Sequence, residues 1–266
     1  MRDKKIHNRI EIAIICLLCA ATVVLDFVKI EYLTNSLRNA LLCKIIQQTC
    51  GSIAGILLLR RLNLKLFSKP TNCLYLIPCF IVAIDNFQFS AYFNGRLSLV
   101  HKETVDFLLF GGYCLLVGLF EECIFRGIVF SVLASLFTQN KKGFLLTYVI
   151  SSATFGLAHI INGISIQIAY TMLTGGVFAF CLIKTKNIFC CAVVHGAYNF
   201  CGLLFDTEQN LGLGTGVVFD TGTVITMLVI SVLVGLFIIY KVWTYSEAER
   251  LELYNKLGIK REKQGD

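Results

Sequence analysis

The chain has 266 residues, 56% of them hydrophobic, 15% charged and only two proline, with a mean hydropathy of +0.72. That is the composition of a membrane protein, and it leaves no stretch for a soluble domain, a low-complexity linker or an internal repeat. The net charge of +7 reads as a bias toward cytoplasmic loops and attraction to anionic lipid, not as a nucleic-acid footprint.

A helix needs about 20 largely apolar residues to cross roughly 30 Å of hydrocarbon. Eight runs approach that length, at about 10–28, 40–59, 74–93, 105–137, 144–160, 164–183, 188–205 and 222–240. The expected fold is therefore all-α, a single polytopic membrane domain over residues 1–266 with about eight transmembrane helices. The first run follows a basic leader, as a secretory signal would, but it is longer than a signal core and no A-x-A-like cleavage site follows. Its "CLLC" at 16–19 has redox or metal spacing, yet no histidine lies near, and in an apolar helix such cysteines behave as small apolar residues. The twelve cysteines lie mostly within runs, so no disulfide framework is expected. Asp85, in "AIDNFQF", is a polar intrusion late in the third run, read more simply as a span nearing its outer interface than as part of a cavity. Between Lys142 and Lys184 stand 41 residues without a charge, too long for one span, and "INGIS" at 161–165 supplies a turn.

Lysine and arginine placement tests this count, because cytoplasmic loops collect them. With eight spans, eighteen basic residues fall on the side of both termini and five on the other, counting Lys44 at the outer end of its run, and Arg126 stands deep inside a span. Both termini are expected in the cytoplasm.

Arg126 belongs to "FEECIFRG", residues 120–127, inside the fourth run. A charge at the centre of a bilayer costs about 2.5–3.5 kcal/mol, so such residues face partners or a cavity. Glu122 and Arg126 are four apart, on one helix face, and can pair. Glu121 is turned about 100° away and has no such partner in its own helix. His7 lies in the leader and His101 in a polar connection, which leaves His159, closing "FGLAH", and His195, opening "HGAYN", in apolar surroundings. His195 and Asn199 lie one turn apart on one face. Two histidines, two carboxylates and an asparagine in three spans are best explained by convergence on one polar cavity.

Peptide hydrolysis needs a base to activate water, donors for the oxyanion, and exclusion of bulk water. A glutamate and a histidine can hold the water; a second histidine and a carboxamide can meet the oxyanion. No serine or cysteine stands in a recognisable nucleophile setting. Zinc on Glu121, His159 and His195 is the alternative, as two histidines and a glutamate form a legitimate ligand set, though no H-E-x-x-H helix strengthens it.

Three motifs in order, "EECIFRG" from Glu121, "FGLAH" ending at His159 and "HGAYN" from His195, resemble those of the CAAX protease and bacteriocin-processing (CPBP, or Abi) family of intramembrane proteases. The resemblance covers residues 120 to about 200, inside a motif-bearing core of about 105–205. It implies a glutamate-dependent endopeptidase without catalytic zinc or other cofactor. Glu121 and His159 would activate the water, His195 and Asn199 would stabilise the oxyanion, and Glu122, Arg126 and Phe155 would support the site. The substrate implied is a membrane-associated or lipidated, CAAX-like peptide or protein, and the expected partners are that substrate and membrane lipid. Some bacterial members are linked to bacteriocin processing or immunity, and a bacterial plasma membrane is the expected location. Two readings of another class remain: a proton-coupled transporter, which would show two related halves, and a non-proteolytic immunity or partner protein, whose effect would survive loss of Glu121.

Counting about 1.5 Å per residue from the nearest basic loops puts Glu121 and His159 toward the outer half of the membrane and His195 nearer the middle. Upright straight helices would not join them. The segment 105–137 is therefore expected to be broken or strongly tilted near Gly111 to Gly118.

Overall fold

The computed structural model describes residues 2–26, 36–95, 103–159, 166–205 and 221–259, and those residues hold helices and connections with no strand. Helix α1 spans Arg2–Asp26, α2 Leu37–Arg61, α3 Leu76–Asp85, the short α4 Phe89–Phe93 and α5 Thr104–Glu122. A π-helical stretch, Cys123–Val129, carries α5 into α6, Phe130–Leu136. Then follow α7 Lys141–Ala158, α8 Ile166–Thr185, α9 Ile188–Leu203, α10 Thr221–Trp243 and α11 Glu247–Lys256.

Each of the eight expected runs coincides with a helical segment. Four are long and apolar enough to cross a membrane: Leu37–Arg61, Thr104–Leu136, Ile168–Thr185 and Ile225–Trp243. Ile10–Leu25, Cys73–Asp85 and Ile188–Leu203 are shorter apolar helices. The run expected at 74–93 is shortened for a physical reason. After Asp85 the polar "DNFQ" segment leaves the helix, and its amides turn to α9, with Asn86 Nδ2 donating to the Tyr198 carbonyl (2.9 Å) and Gln88 Nε2 to that of Gly202 (3.1 Å). The turn expected at 161–165, His101 and the loop residues Lys29, Arg96 and Lys102 lie outside the described residues.

Helix α8 is the centre of the bundle. Of its membrane-length window 72% is buried, against 22–39% in the other three long spans, and Phe178 to Ile183 are each 1% exposed or less. Around them pack Leu59, Phe130, Phe144, Phe155, Cys191 and Val194. All twelve cysteines are free thiols, with Cys79, Cys181 and Cys191 among these core residues.

The expected break near Gly111 to Gly118 is absent. Helix α5 is continuous there, and the irregular backbone comes later, in the π-helical stretch. The glycines serve packing instead. A Cβ on Gly118 would lie 2.9 Å from the Ala192 carbonyl oxygen and the Gly196 nitrogen, and a Cβ on Gly196 would lie 2.9 Å from Leu115 Cα. Helices α5 and α9 thus meet backbone to backbone, as small residues permit in membrane bundles. Helices α7 and α8 do the same through Gly156, whose Cβ would meet the Ile168 carbonyl oxygen, and Gly175, whose Cβ would meet that of Ser152, both at 2.9 Å.

The expected mismatch in depth dissolves at the other end of α9. Lys184, Thr185, Lys186 and Asn187 are 0–4% exposed, so this basic connection is not a surface loop from which depth can be counted. Helix α11, started by a capping box of Ser246 and Glu249, lies over it. Lys186 Nζ pairs with Glu252 at 2.8 Å, the Lys184 ammonium sits over the rings of Tyr75 and Tyr245, and the Tyr245 hydroxyl donates to the Ile183 carbonyl at 2.7 Å.

Gly196→Ala is expected to cost about 1–3 kcal/mol through overpacking and to lower the thermal midpoint of the detergent-solubilised protein. Gly112→Ala, whose Cβ would meet nothing within 4 Å, should leave the midpoint unchanged or raise it, because alanine is the better helix former.

Candidate active site

The close approach of α5 and α9 delivers His195 to the two glutamates. His195 Nδ1 lies 2.9 Å from Glu122 Oε1, and its Nε2 lies 3.7 Å from Glu121 Oε2. The neighbouring carboxylates differ sharply in setting. The Glu122 side chain is wholly buried, whereas that of Glu121 is 27% exposed and so reaches accessible space. Glu122 Oε2 is 3.1 Å from Arg126 Nε, an ion pair between two groups of zero exposure. Arg126 Nη2 donates to the Gly175 carbonyl at 3.0 Å. Its guanidinium lies over the rings of Phe155 (4.8 Å) and Phe178 (5.6 Å), contacts that favour a desolvated cation.

These contacts place a hydrogen on Nδ1 of His195. A carboxylate paired with a guanidinium only accepts, so Nδ1 of His195 donates to Glu122 and Nε2 is the nitrogen turned to Glu121. His159 caps the end of α7, where its Nδ1 lies 2.9 Å from the Phe155 carbonyl oxygen. A carbonyl likewise only accepts, so Nδ1 of His159 donates and its Nε2 is left without a partner. Phe155 stands between the two histidines, with ring centroids 4.9 Å from His159 and 5.6 Å from His195.

The structure therefore gathers Glu121, Glu122, Arg126, Phe155 and His195 into one contact network, with His159 joined through Phe155. Among the described residues His159 pairs with neither glutamate. Asn199 is half-buried, one turn beyond His195 on α9, and its side chain makes no hydrogen bond among the described residues. Glu121 Oε2 is a buried oxygen with no hydrogen-bond partner; such atoms call for an explanation, and a catalytic group is one.

Two contributors were not singled out by the motifs. Phe178 stacks on the His195 ring at 4.4 Å with an interplanar angle of 20°, and the Gly175 carbonyl holds Arg126. Both stand in "TGGVFAF", where paired glycines inside an apolar run signal a close backbone approach.

Among the described residues no three His, Cys, Asp or Glu side chains, Glu121, His159 and His195 included, are grouped closely enough to hold a metal ion.

Compared with known families, residues 103–201 match the family model described as type II CAAX prenyl endopeptidase Rce1-like. The match runs from the start of α5 to the end of the motif region on α9, so it contains every residue of the network and bears out the resemblance read from the three motifs. It also supports a peptidase set among membrane-spanning helices. No curated protein and no solved structure matches the chain.

Removing one partner of a buried ion pair leaves an uncompensated charge, at a cost of about 3–5 kcal/mol. Arg126→Leu is expected to show that loss in thermal unfolding, and the double variant Arg126→Leu/Glu122→Leu should recover part of it. A double variant no more stable than Arg126→Leu would show that the two charges are not coupled.

Proposed function

We propose that the protein is an intramembrane endopeptidase that cuts a peptide bond in a membrane-associated or lipidated peptide by direct attack of an activated water. What carries this reading is Glu121, whose buried, unpartnered Oε2 faces Nε2 of His195 at 3.7 Å. Glu121 is the general base, and the free Nε2 of His159 helps to hold the water. The water oxygen attacks the carbonyl carbon while its proton passes to Glu121. The carbonyl oxygen becomes an oxyanion that accepts from the Asn199 amide and from Nε2–H of His195. As the tetrahedral intermediate collapses, the C–N bond breaks and the leaving amine takes the proton from Glu121.

The role of His195 rests on its geometry: Glu122 holds Nδ1 at 2.9 Å and so turns Nε2 toward the reacting centre beside Glu121. Glu122 and Arg126 act as positioning residues, since neither is exposed. No metal or other cofactor takes part in any step of this reading.

On this reading the chain spans a bacterial plasma membrane, and the eighteen-to-five asymmetry of its basic residues supports both termini in the cytoplasm. Maturation of, or self-protection against, a bacteriocin-like peptide is the role suggested by the motif resemblance.

The reading is tested with purified protein in detergent on a panel of prenylated and unprenylated membrane peptides. Glu121→Gln should lower cleavage by about 10²–10⁴-fold, the usual contribution of a general base, and a strong zinc chelator should leave wild-type cleavage unchanged. Equal rates in wild type and Glu121→Gln would overturn the assignment.

A further inference from the structure

Two further carboxylates are buried outside the hydrolytic network: Asp106, which Arg38 holds at 2.7 Å, and Asp85, which has no such partner. It is 8% exposed, its Oδ2 has no hydrogen-bond partner, and among the described residues no Lys, Arg or His pairs with it. It lines a cavity of about 560 Å³ between the end of α3 and helix α10, whose other walls include Ile81, Ile84, Phe87, Thr226 and Ile230. That volume falls within the roughly 300–1,000 Å³ of small-ligand sites, which are mostly apolar with a few placed polar groups.

The cavity is tied to the helix that carries His195. Asn86 and Gln88, which flank Asp85 closely, are strapped to the carbonyls of Tyr198 and Gly202 on α9. Those residues are three and seven positions beyond His195, or about 4.5 and 10 Å along the helix. The Tyr198 ring packs on Phe178 at 5.8 Å, and Phe178 stacks on His195. An extended peptide covers about 10 Å in three residues, at roughly 3.3 Å each.

Resting on the peptidase reading, we infer that this cavity is a specificity subsite for a basic side chain, lysine or arginine, carried by the substrate about three residues from the bond that is cut. The apolar walls receive the methylene stem of such a side chain and Asp85 receives its cationic head, the division of labour natural to long basic side chains. A buried carboxylate without a partner is costly, and a cation supplied by the substrate relieves that cost. A neutral side chain leaves Asp85 unpaired and an acidic one adds repulsion, so the subsite selects by penalty as well as by attraction.

The test uses the full chain in detergent and two membrane peptides that differ only in lysine or norleucine at that position. Binding is read by fluorescence anisotropy in the Glu121→Gln background, where the peptide stays whole. The lysine peptide should bind about tenfold more tightly, a ratio typical of a modest charge-pair preference. Asp85→Asn should erase the difference, and so should Ile230→Lys, which plants a tethered ammonium in the cavity from the facing helix. Equal affinity for the two peptides, or a preference that persists in both variants, would overturn the subsite. With Glu121 intact, the preference should appear in KM and not in kcat. Selective binding with no cleavage of either peptide would keep the subsite and remove the peptidase reading, whereas cleavage without selectivity would do the reverse.

Discussion

A guanidinium buried in an apolar bundle needs partners, and in this protein Arg126 draws them from three helices at once, with only its Nη1 left without one. Its charge is met by Glu122 from the preceding turn, one of its donors by the Gly175 carbonyl of α8, and its face by the rings of Phe155 on α7 and Phe178 on α8. An unpaired charge there would be strongly unfavourable. The positions of α7 and α8 relative to the π-helical stretch are therefore tied to one side chain. Glu122 passes the constraint on: held by Arg126, it holds Nδ1 of His195 and turns Nε2 toward Glu121. Two adjacent glutamates thus differ in setting, one enclosed by its partners and the other reaching open space.

That network depends on helices closer than ordinary side chains permit. Gly118 and Gly196 bring α5 against α9, and Gly156 and Gly175 bring α7 against α8. In an apolar solvent there is little hydrophobic drive between helices, so close van der Waals packing and internal polar contacts must hold the bundle together. The π-helical stretch that carries Arg126 is itself packed on α2, where a Cβ on Gly127 would collide with Leu59 and one on Gly55 with Cys123. Irregular helix of this kind recurs at functional sites and is tolerated at membrane depth where protein surrounds it.

The far end of the bundle shows the same economy with polar groups. Lys184, Lys186 and Asn187 would be costly to bury alone, and each is given a partner: tyrosine rings for Lys184, Glu252 for Lys186 and the Ser68 carbonyl for Asn187. Helix α11 provides much of that cover. By sealing this connection, it allows α9 to begin well inside the protein and carry His195 to the level of the glutamates.

The sequence by itself determined the all-helical, membrane-type architecture, because runs of apolar residues admit no other use, and it determined the candidate set Glu121, Glu122, Arg126, His159, His195 and Asn199, because polar residues in such runs need a reason. The Glu122–Arg126 pair was also legible, since spacing along one helix fixes who faces whom. Tertiary structure alone decided the rest. The bridging of both glutamates by His195, the stacking of Phe178, the hold of Gly175 on Arg126 and the burial of the Lys184–Lys186 connection are contacts between helices far apart in the chain. Their geometry follows from how closely backbones meet, and periodicity along a single helix carries no record of that distance. The glycines were visible in the sequence, but as a place to break a helix; only the neighbouring helix shows that they are places to touch one.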